Sequence, residues 1–307
     1  MSILTEDQIN QLKKASYKVI GNHKHSAVKL CHWTKESVKS AGKKICYKQK
    51  FYGIKSHRCI QMTPALPFCT MRCLYCWRDT SITYPEWEGP FDDPETIINE
   101  SIKAQQSLIT GLGGVDHGPE HLKEANDPNQ VAISLAGEPT IYPKLSELIQ
   151  KYKERNFSTF LVTNGTLPEK LKALDSIPSN LYISVSATDE EMHKKLENPI
   201  IKNSWKRINE SLKWMSTVDT TTVIRLTMVK GWNMTSPEKY AEIVSQANPK
   251  YIEVKSFMPV GWSSKRLPFE AMPSHEEIQS FSEKVADSLG YKLKDEQKES
   301  RVVLLSK

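Results

Sequence analysis

Cys69-Thr70-Met71-Arg72-Cys73-Leu74-Tyr75-Cys76 sets three thiols in a C-x3-C-x2-C spacing at the end of an apolar run. A [4Fe–4S] cluster held entirely by protein takes four thiolates, one per iron. Three thiolates leave one iron open, and an open iron can take a substrate or cofactor directly. A structural zinc site would instead gather four ligands, usually as C-x2-C pairs or with histidine. The octad therefore reads as a catalytic cluster loop. The other cysteines, Cys31, Cys46 and Cys59, all lie upstream and again number three. Two sets of three suggest two clusters, each with an open iron; simple burial is the bland alternative for the upstream set. Three disulfides would need the setting of a short secreted chain. The 307 residues hold neither a signal-peptide pattern nor a long apolar run. The expectation is a cytoplasmic protein with reduced thiols and no membrane span.

Charge carries independent information. The chain has 42 basic and 36 acidic side chains, a formal charge of +6. From Ser37 to Arg78 there is no Asp or Glu, while Lys39, Lys43, Lys44, Lys48, Lys50, Lys55, Arg58, Arg72 and Arg78 all fall there. The whole positive excess thus sits in the segment with most of the cysteines. Such a patch attracts a polyanion and sets phosphate contacts beside the metal sites. Tyr47, Phe51, Tyr52 and Trp77, interleaved with the cations, can stack on unpaired bases. Offsetting the charge of anionic clusters, or a plain solvated face, is the competing reading.

The first sixty residues read as helical, over Leu4–Ile20 and Ser26–Ser40, with Gly42 as the expected stop. Beyond them, apolar runs alternate with amphipathic stretches. Strands are expected at Cys59–Thr63, Val131–Leu135, Ser158–Thr163, Leu181–Ser186, Thr222–Met228 and Tyr251–Val254, with a short one at Arg301–Leu305. Helices are expected at Pro94–Thr110, Tyr142–Arg155, Glu169–Leu174, Asn203–Thr217, Pro237–Ala247 and Ser274–Leu289. The polar stretch Gly111–Gln130 reads as an exposed loop. This alternation argues an α/β fold with a parallel sheet and crossover helices. The expected domains are a helical, cysteine-bearing extension over residues 1–58 and the α/β array over 59–307.

In such folds chemistry gathers at the C-terminal strand ends. The first strand runs into the cysteine loop. The next ends in Gly137-Glu138-Pro139, and later ones in Thr163-Asn164-Gly165 and Ser184-Val185-Ser186, while the fifth carries Arg225 and the sixth runs into Lys255. Singly each is weak: Asn164-Gly165 is also a turn signal, and Glu138 before a proline can cap the next helix.

The three-cysteine spacing resembles that of the radical S-adenosylmethionine (SAM) superfamily. That resemblance implies a partial (βα)6, TIM-like barrel, with SAM on the open iron of a [4Fe–4S] cluster held by Cys69, Cys73 and Cys76. Gly137-Glu138 resembles the superfamily's element for the methionyl amine, although Ala136 stands where a glycine is commoner. Tyr75, Thr163, Asn164, Ser186 and Arg225 join the SAM-binding candidates.

Further motifs narrow the match. Cys76-Trp77-Arg78-Asp79, the upstream triad, Cys46-Tyr47-Lys48 followed by Phe51-Tyr52-Gly53-Ile54, and the late Lys255-Ser256-Phe257-Met258-Pro259-Val260-Gly261-Trp262-Ser263 together resemble the tRNA 4-demethylwyosine synthases from about Cys31 onward. The resemblance implies tRNA(Phe) bearing N1-methylguanosine 3′ of the anticodon as substrate, and pyruvate as donor of two carbons. It further implies a second [4Fe–4S] cluster on Cys31, Cys46 and Cys59. A lysine amine in a partly desolvated site can form a Schiff base with a keto acid, and Lys48, two residues from Cys46, is the candidate. A phosphate contact or cluster-charge balance is its alternative role. Lys43, Lys44, Lys50, Arg78 and Lys255 are the tRNA or substrate contacts expected. The short N-terminal stretch matches the archaeal-type form without a flavodoxin domain. A separate flavodoxin or ferredoxin is then the expected electron donor, and the expected state is a monomer. A radical SAM enzyme acting on a peptide or small molecule, and a non-enzymatic iron–sulfur or zinc RNA-binding module, are the alternatives.

Overall fold

The computed structural model describes residues 2–307. The chain divides into two compact units. One runs from the N-terminal end to Phe68 and takes in Glu86–Val162 and Leu174–Ser179. The other holds Cys69–Pro85, Thr163–Ala173 and Asn180–Lys307.

The first unit contains helices α1 (Glu6–Lys14), α2 (His32–Lys39), α3 (Tyr47–Tyr52), α4 (Pro94–Thr110), α5 (Pro119–Ala125) and α6 (Leu145–Glu154). Its strands are β1 (Lys18–Ile20), β2 (Ser26–Val28), β3 (Cys59–Thr63), β4 (Gln130–Ile133) and β5 (Ser158–Thr163). β3, β4 and β5 run parallel, while β2 pairs antiparallel with both β3 and β1. Parallel register puts Ile60, Val131 and Thr159 in one row and Met62, Ile133 and Leu161 in the next, and all six are fully buried. α4 packs against β1, β2, β3 and α6, burying Ile97 and Ile98. Each such aliphatic side chain contributes about 1.5–3 kcal/mol by leaving water. The opposite face carries Cys59 and Gln61, with Ala132 and Phe160 in register beside Gln61.

The second unit contains α7 (Pro168–Lys172), α8 (Glu190–Glu197), α9 (Ser204–Met215), α10 (Pro237–Ser245) and α11 (His275–Leu289), with strands β6 (Asn180–Ser184), β7 (Thr221–Met228), β8 (Tyr251–Ser256), β9 (Lys292–Gln297) and β10 (Val302–Ser306). β6, β7 and β8 are parallel, and β10 turns back antiparallel to β8 and to β9. β10 is buried along Val302–Leu305, as a strand covered on both faces must be. β9, with the sequence KLKDEQ, is mostly charged, which discourages pairing with another chain.

Most expected elements are present with ends shifted by a few residues. The N-terminal segment differs. Only Glu6–Lys14 and His32–Lys39 of the two long expected helices form, and β1 and β2 stand between them. Ser16, at φ 63°, ends the first helix, and Gly21 and Lys24, both at positive φ, turn the chain back into a hairpin. A Cβ at Gly21 would also strike the Asp92 carboxylate. α2 stops at Lys39 rather than Ser40, in a Schellman arrangement with bonds from Ala41 N–H to Val38 O and from Gly42 N–H to Ser37 O. The stretch expected as loop over 111–130 contains α5. α8, α5, β1, β2 and β9 had no strong periodicity to announce them. Among the described residues no helix is long and apolar enough to cross a membrane.

His25 ties the hairpin to the rest of the first unit. Its Nδ1 lies 2.7 Å from Pro64 O, and its Nε2 accepts the Asp92 N–H at 2.9 Å. The Asp92 carboxylate accepts the N–H groups of Asn22 and His23, and Trp87 and Tyr142 pack on the imidazole. Burial pushes the imidazole below its ordinary 6.5, against the raising effects of the Pro64 carbonyl and Asp92. Between that lowered value and 6.5 the unfolded chain binds a proton that the folded chain refuses. This part of the stability is therefore complete above pH 6.5 and is lost as pH falls below it. His25→Gln should cost about 1–3 kcal/mol through buried groups left unpaired. It should also reduce the difference in urea stability between pH 7.5 and 5.5, leaving the share of His57, likewise lowered by burial.

Candidate functional site

The cluster loop belongs to the second unit and is strapped to the end of α8. Arg72 N–H donates to Asn198 O at 3.0 Å, Leu74 N–H to Leu196 O at 2.9 Å and Ile200 N–H to Thr70 O at 2.9 Å. Arg78 lies inside the loop, only 5 % exposed. Its guanidinium donates to the carbonyls of Asp79, Ile82 and Met71 and to Thr83 Oγ1. None of those acceptors is a carboxylate. Burial works against its charge, but the Cys69 and Cys76 sulfurs outweigh it and raise the guanidinium pKa. Arg266, from the turn after β8, donates to the carbonyls of Leu74, Cys76 and Arg78. Trp262 N–H reaches Trp77 O at 3.0 Å. The late Gly261-Trp262 motif thus closes over the cluster loop within this unit.

Cys69, Cys73 and Cys76 lie within electrostatic reach of one another. Burial pushes the Cys73 thiol well above its ordinary range, and Glu197 and the other two sulfurs push it further. Asn164 Nδ2 sits 3.9 Å from Cys69 Sγ and donates to Thr70 Oγ1 at 2.9 Å, while its Oδ1 accepts from Thr166. Tyr75 OH donates to Glu197 Oε1 at 2.7 Å. The buried Ser186 hydroxyl lies against Tyr75 without a hydrogen bond of good geometry. Arg225 donates to Glu253 Oε2 through Nε and Nη2 at 3.0 and 2.8 Å, and Tyr182 OH reaches the other oxygen. Lys255 Nζ donates to Ser300 O at 2.9 Å. Thr163, buried, accepts the Gly165 N–H.

The upstream triad belongs to the first unit. Cys31 and Cys46 are the N-cap residues of α2 and α3, and Cys59 opens β3. Thr34 Oγ1 and Gln105 Nε2 donate to Cys59 O, and Cys46 N–H donates to Ser56 Oγ. Burial pushes Cys46 and Cys59 up to about 12; Cys31 adds to both, and Lys48 pulls both back. Lys48, 7 % exposed, sets its Nζ 4.4 Å from the centre of the Phe160 ring. Phe160 and Cys59 share a sheet face, so Lys48 lies over the face that carries Cys59. Lys43, Lys44 and Lys50 are exposed.

Gly137 and Glu138, also in the first unit, pack on the segment that precedes the cluster loop. Gly137 has φ 72°, and a Cβ there would strike the carbonyls of Ala65 and Phe68. Glu138 N–H donates to Phe68 O at 2.7 Å. Its carboxylate accepts from Thr140 N–H and Oγ1 at 3.1 and 2.6 Å, realising the capping role that a glutamate before proline suggests.

The donor chemistry fits the expected group. A buried guanidinium whose protein acceptors are neutral oxygens is balanced only when the neighbouring sulfurs are anionic, as cluster ligands are. Among the described residues no three His, Cys, Asp or Glu side chains stand close enough to hold one metal ion. A [4Fe–4S] cluster would spread its thiolates over separate irons. Glu197 and Arg266 could not be singled out from the sequence, because nothing in their local spacing marks partners as distant as Tyr75 and Leu74.

Residues 63–244 match the Radical SAM superfamily model, and residues 246–307 match the model for wyosine base formation. The chain is 46% identical over 310 residues to the S-adenosyl-L-methionine-dependent tRNA 4-demethylwyosine synthase of Pyrococcus abyssi, covering 98% of this chain and 89% of the relative. A solved structure of TYW1 with a lysine–pyruvate adduct bound superposes with a TM-score of 0.89 at 36% identity, covering 99% of this chain and 96% of the other. A crystal structure of archaeal TYW1 matches with a TM-score of 0.80 at 33% identity, with the same two coverages of 99% and 96%. The fold class is therefore the partial (βα)6 barrel of the radical SAM type, and the alternative of a non-enzymatic iron–sulfur or zinc RNA-binding module falls away. The protein belongs to the radical SAM family of tRNA 4-demethylwyosine synthases.

Proposed function

We propose that the protein converts N1-methylguanosine, 3′ of the anticodon in tRNA(Phe), to 4-demethylwyosine with pyruvate as two-carbon donor. The observation that carries this reading is Lys48, buried beside Cys46 and Cys59 and over Phe160. The lysine–pyruvate adduct in the solved relative supports it. Cys69, Cys73 and Cys76 hold the cluster that binds SAM, and Cys31, Cys46 and Cys59 hold a second one. When bound, the first cluster and SAM supply a 5′-deoxyadenosyl radical by reductive cleavage.

The chain's own groups do the rest. The Lys48 amine adds to the keto carbon of pyruvate and water leaves, fixing the donor as an imine. Phe160 under the amine and the low exposure of Lys48 limit the water that would reverse the step. Tyr75, Gly137, Glu138, Thr163, Asn164, Ser186 and Arg225 are the SAM contacts in this reading. Lys43, Lys44, Lys50 and Lys255 are contacts for the RNA or substrate. Arg78 is better suited to organising the cluster loop than to touching RNA, since its donors are spent inside. In this reading residues 1–58 are an extension carrying cysteines of the second cluster, and 59–307 are the radical SAM partial barrel. A flavodoxin or ferredoxin supplies the electron to a monomeric cytoplasmic enzyme.

The deciding experiment incubates the anaerobically reconstituted protein with N1-methylguanosine-bearing tRNA(Phe), SAM, dithionite and pyruvate, followed by mass spectrometry of the nucleosides. A tricyclic guanosine that needs pyruvate is expected; SAM cleavage with unaltered guanosine would sink the assignment. Lys48→Arg keeps the charge and removes the Schiff base, so product should fall by two or more orders of magnitude while SAM cleavage persists. Borohydride should trap labelled pyruvate on the wild-type peptide and not on that variant. Replacing Cys31, Cys46 and Cys59 by alanine should lower iron from about eight to about four per chain and spare SAM cleavage. The same change at Cys69, Cys73 and Cys76 should abolish it. Alanine at Lys43, Lys44 and Lys50 should weaken tRNA binding, measured by filter binding across salt concentrations. The salt slope should shrink by about 0.7–0.9 for each phosphate that is no longer neutralised.

A further inference from the structure

A second buried network touches the cluster loop, and of its members only Tyr75 enters the reaction described above. Glu197, the last residue of α8, is 3 % exposed. One of its oxygens accepts from Tyr75 OH, and the other lies 2.7 Å from His193 Nδ1, one turn earlier on the same helix. His193, fully buried, has its Nε2 2.7 Å from Ser204 Oγ, and its ring packs on Trp205. The chain Tyr75–Glu197–His193–Ser204 thus runs from between two cluster cysteines to the first turn of α9. The main chain runs parallel to it, with Leu74 bonded to Leu196 and Met71 bridged to Pro199.

Burying a carboxylate is costly unless both oxygens are hydrogen-bonded, and both are. Through Tyr75 it reaches the loop between Cys73 and Cys76, where the main chain also holds Leu74 against Leu196. Reductive cleavage of SAM needs a strongly reducing cluster, and fixed negative charge beside the sulfurs makes electron addition harder and so lowers the potential. Arg78, buried in the same loop, carries the opposite charge.

We propose that Glu197 is a positioning residue of the radical centre: anchored by His193 and Ser204, it fixes Tyr75 within the cluster loop and keeps the cluster's reduction potential low. This rests on the reading of Cys69, Cys73 and Cys76 as the SAM-cluster ligands. It needs neither tRNA nor pyruvate, so it fails separately from the wyosine assignment.

The test is a redox titration of the anaerobically reconstituted full chain, followed by electron paramagnetic resonance. The signal that changes when SAM is added identifies the cluster concerned. Glu197→Gln should shift its midpoint to more positive values, and Glu197→Asp should return it toward wild type. A cluster-loaded Glu197→Gln protein with an unchanged midpoint would overturn the electrostatic role. Should that variant fail to fold, Tyr75→Phe removes only the hydroxyl and its bond to Glu197. The SAM-induced change in its spectrum should then differ from wild type, and an identical change would remove Tyr75 from the proposal.

Discussion

The guanidinium of Arg78, shut inside the Cys69–Cys76 loop, is the contact from which the arrangement of the second unit follows. A cluster loop must hold three thiolates on the same side while exposing one iron, and thiolates crowded together repel. A buried cation resolves that conflict, and its directional donors pin the carbonyls of Met71, Asp79 and Ile82 at the same time. Arg266 repeats the device from outside, reaching the carbonyls of Leu74, Cys76 and Arg78. A lysine would satisfy the charge in either place but could not fork across several carbonyls.

The upstream triad is built differently. Two of its cysteines stand at helix N-caps and the third at a strand start, so each thiol is carried on an element whose place is set by packing elsewhere. Ser56 Oγ, bonded to Cys46 N–H and to Gln49, ties the second of these elements to the turn before the third. The cation in this environment is Lys48, a flexible amine where the other triad has a fixed guanidinium. That difference suits the proposed chemistry: a rigid mount for a radical source, and a nucleophile with freedom to reach a keto carbon.

The sequence conveyed the alternation of strands and helices well where elements were long. Cys59–Thr63, Ser158–Thr163 and Pro94–Thr110 form with the bounds their apolar patterns and proline signals suggest. Short elements were harder. β1 and β2 have three residues each, too few for alternation to register, and they exist because β3 offers an edge and Gly21 permits the turn. β9 carries no strand signal because its charged side chains are what a protected edge requires.

Three cysteines at a fixed spacing pointed to the cofactor class, and an acid-free segment around them suggested an anionic partner, from the sequence alone, because ligand count and net charge are local quantities. What the tertiary structure decided was pairing. It gave Arg225 to Glu253, Arg78 to the loop carbonyls and Glu197 to Tyr75, and it laid Lys48 over Phe160. Buried polar groups find partners through strand register and helix packing, across 122 positions in the case of Tyr75 and Glu197. No periodicity in the sequence encodes that distance; only the folded chain brings such groups within a hydrogen bond.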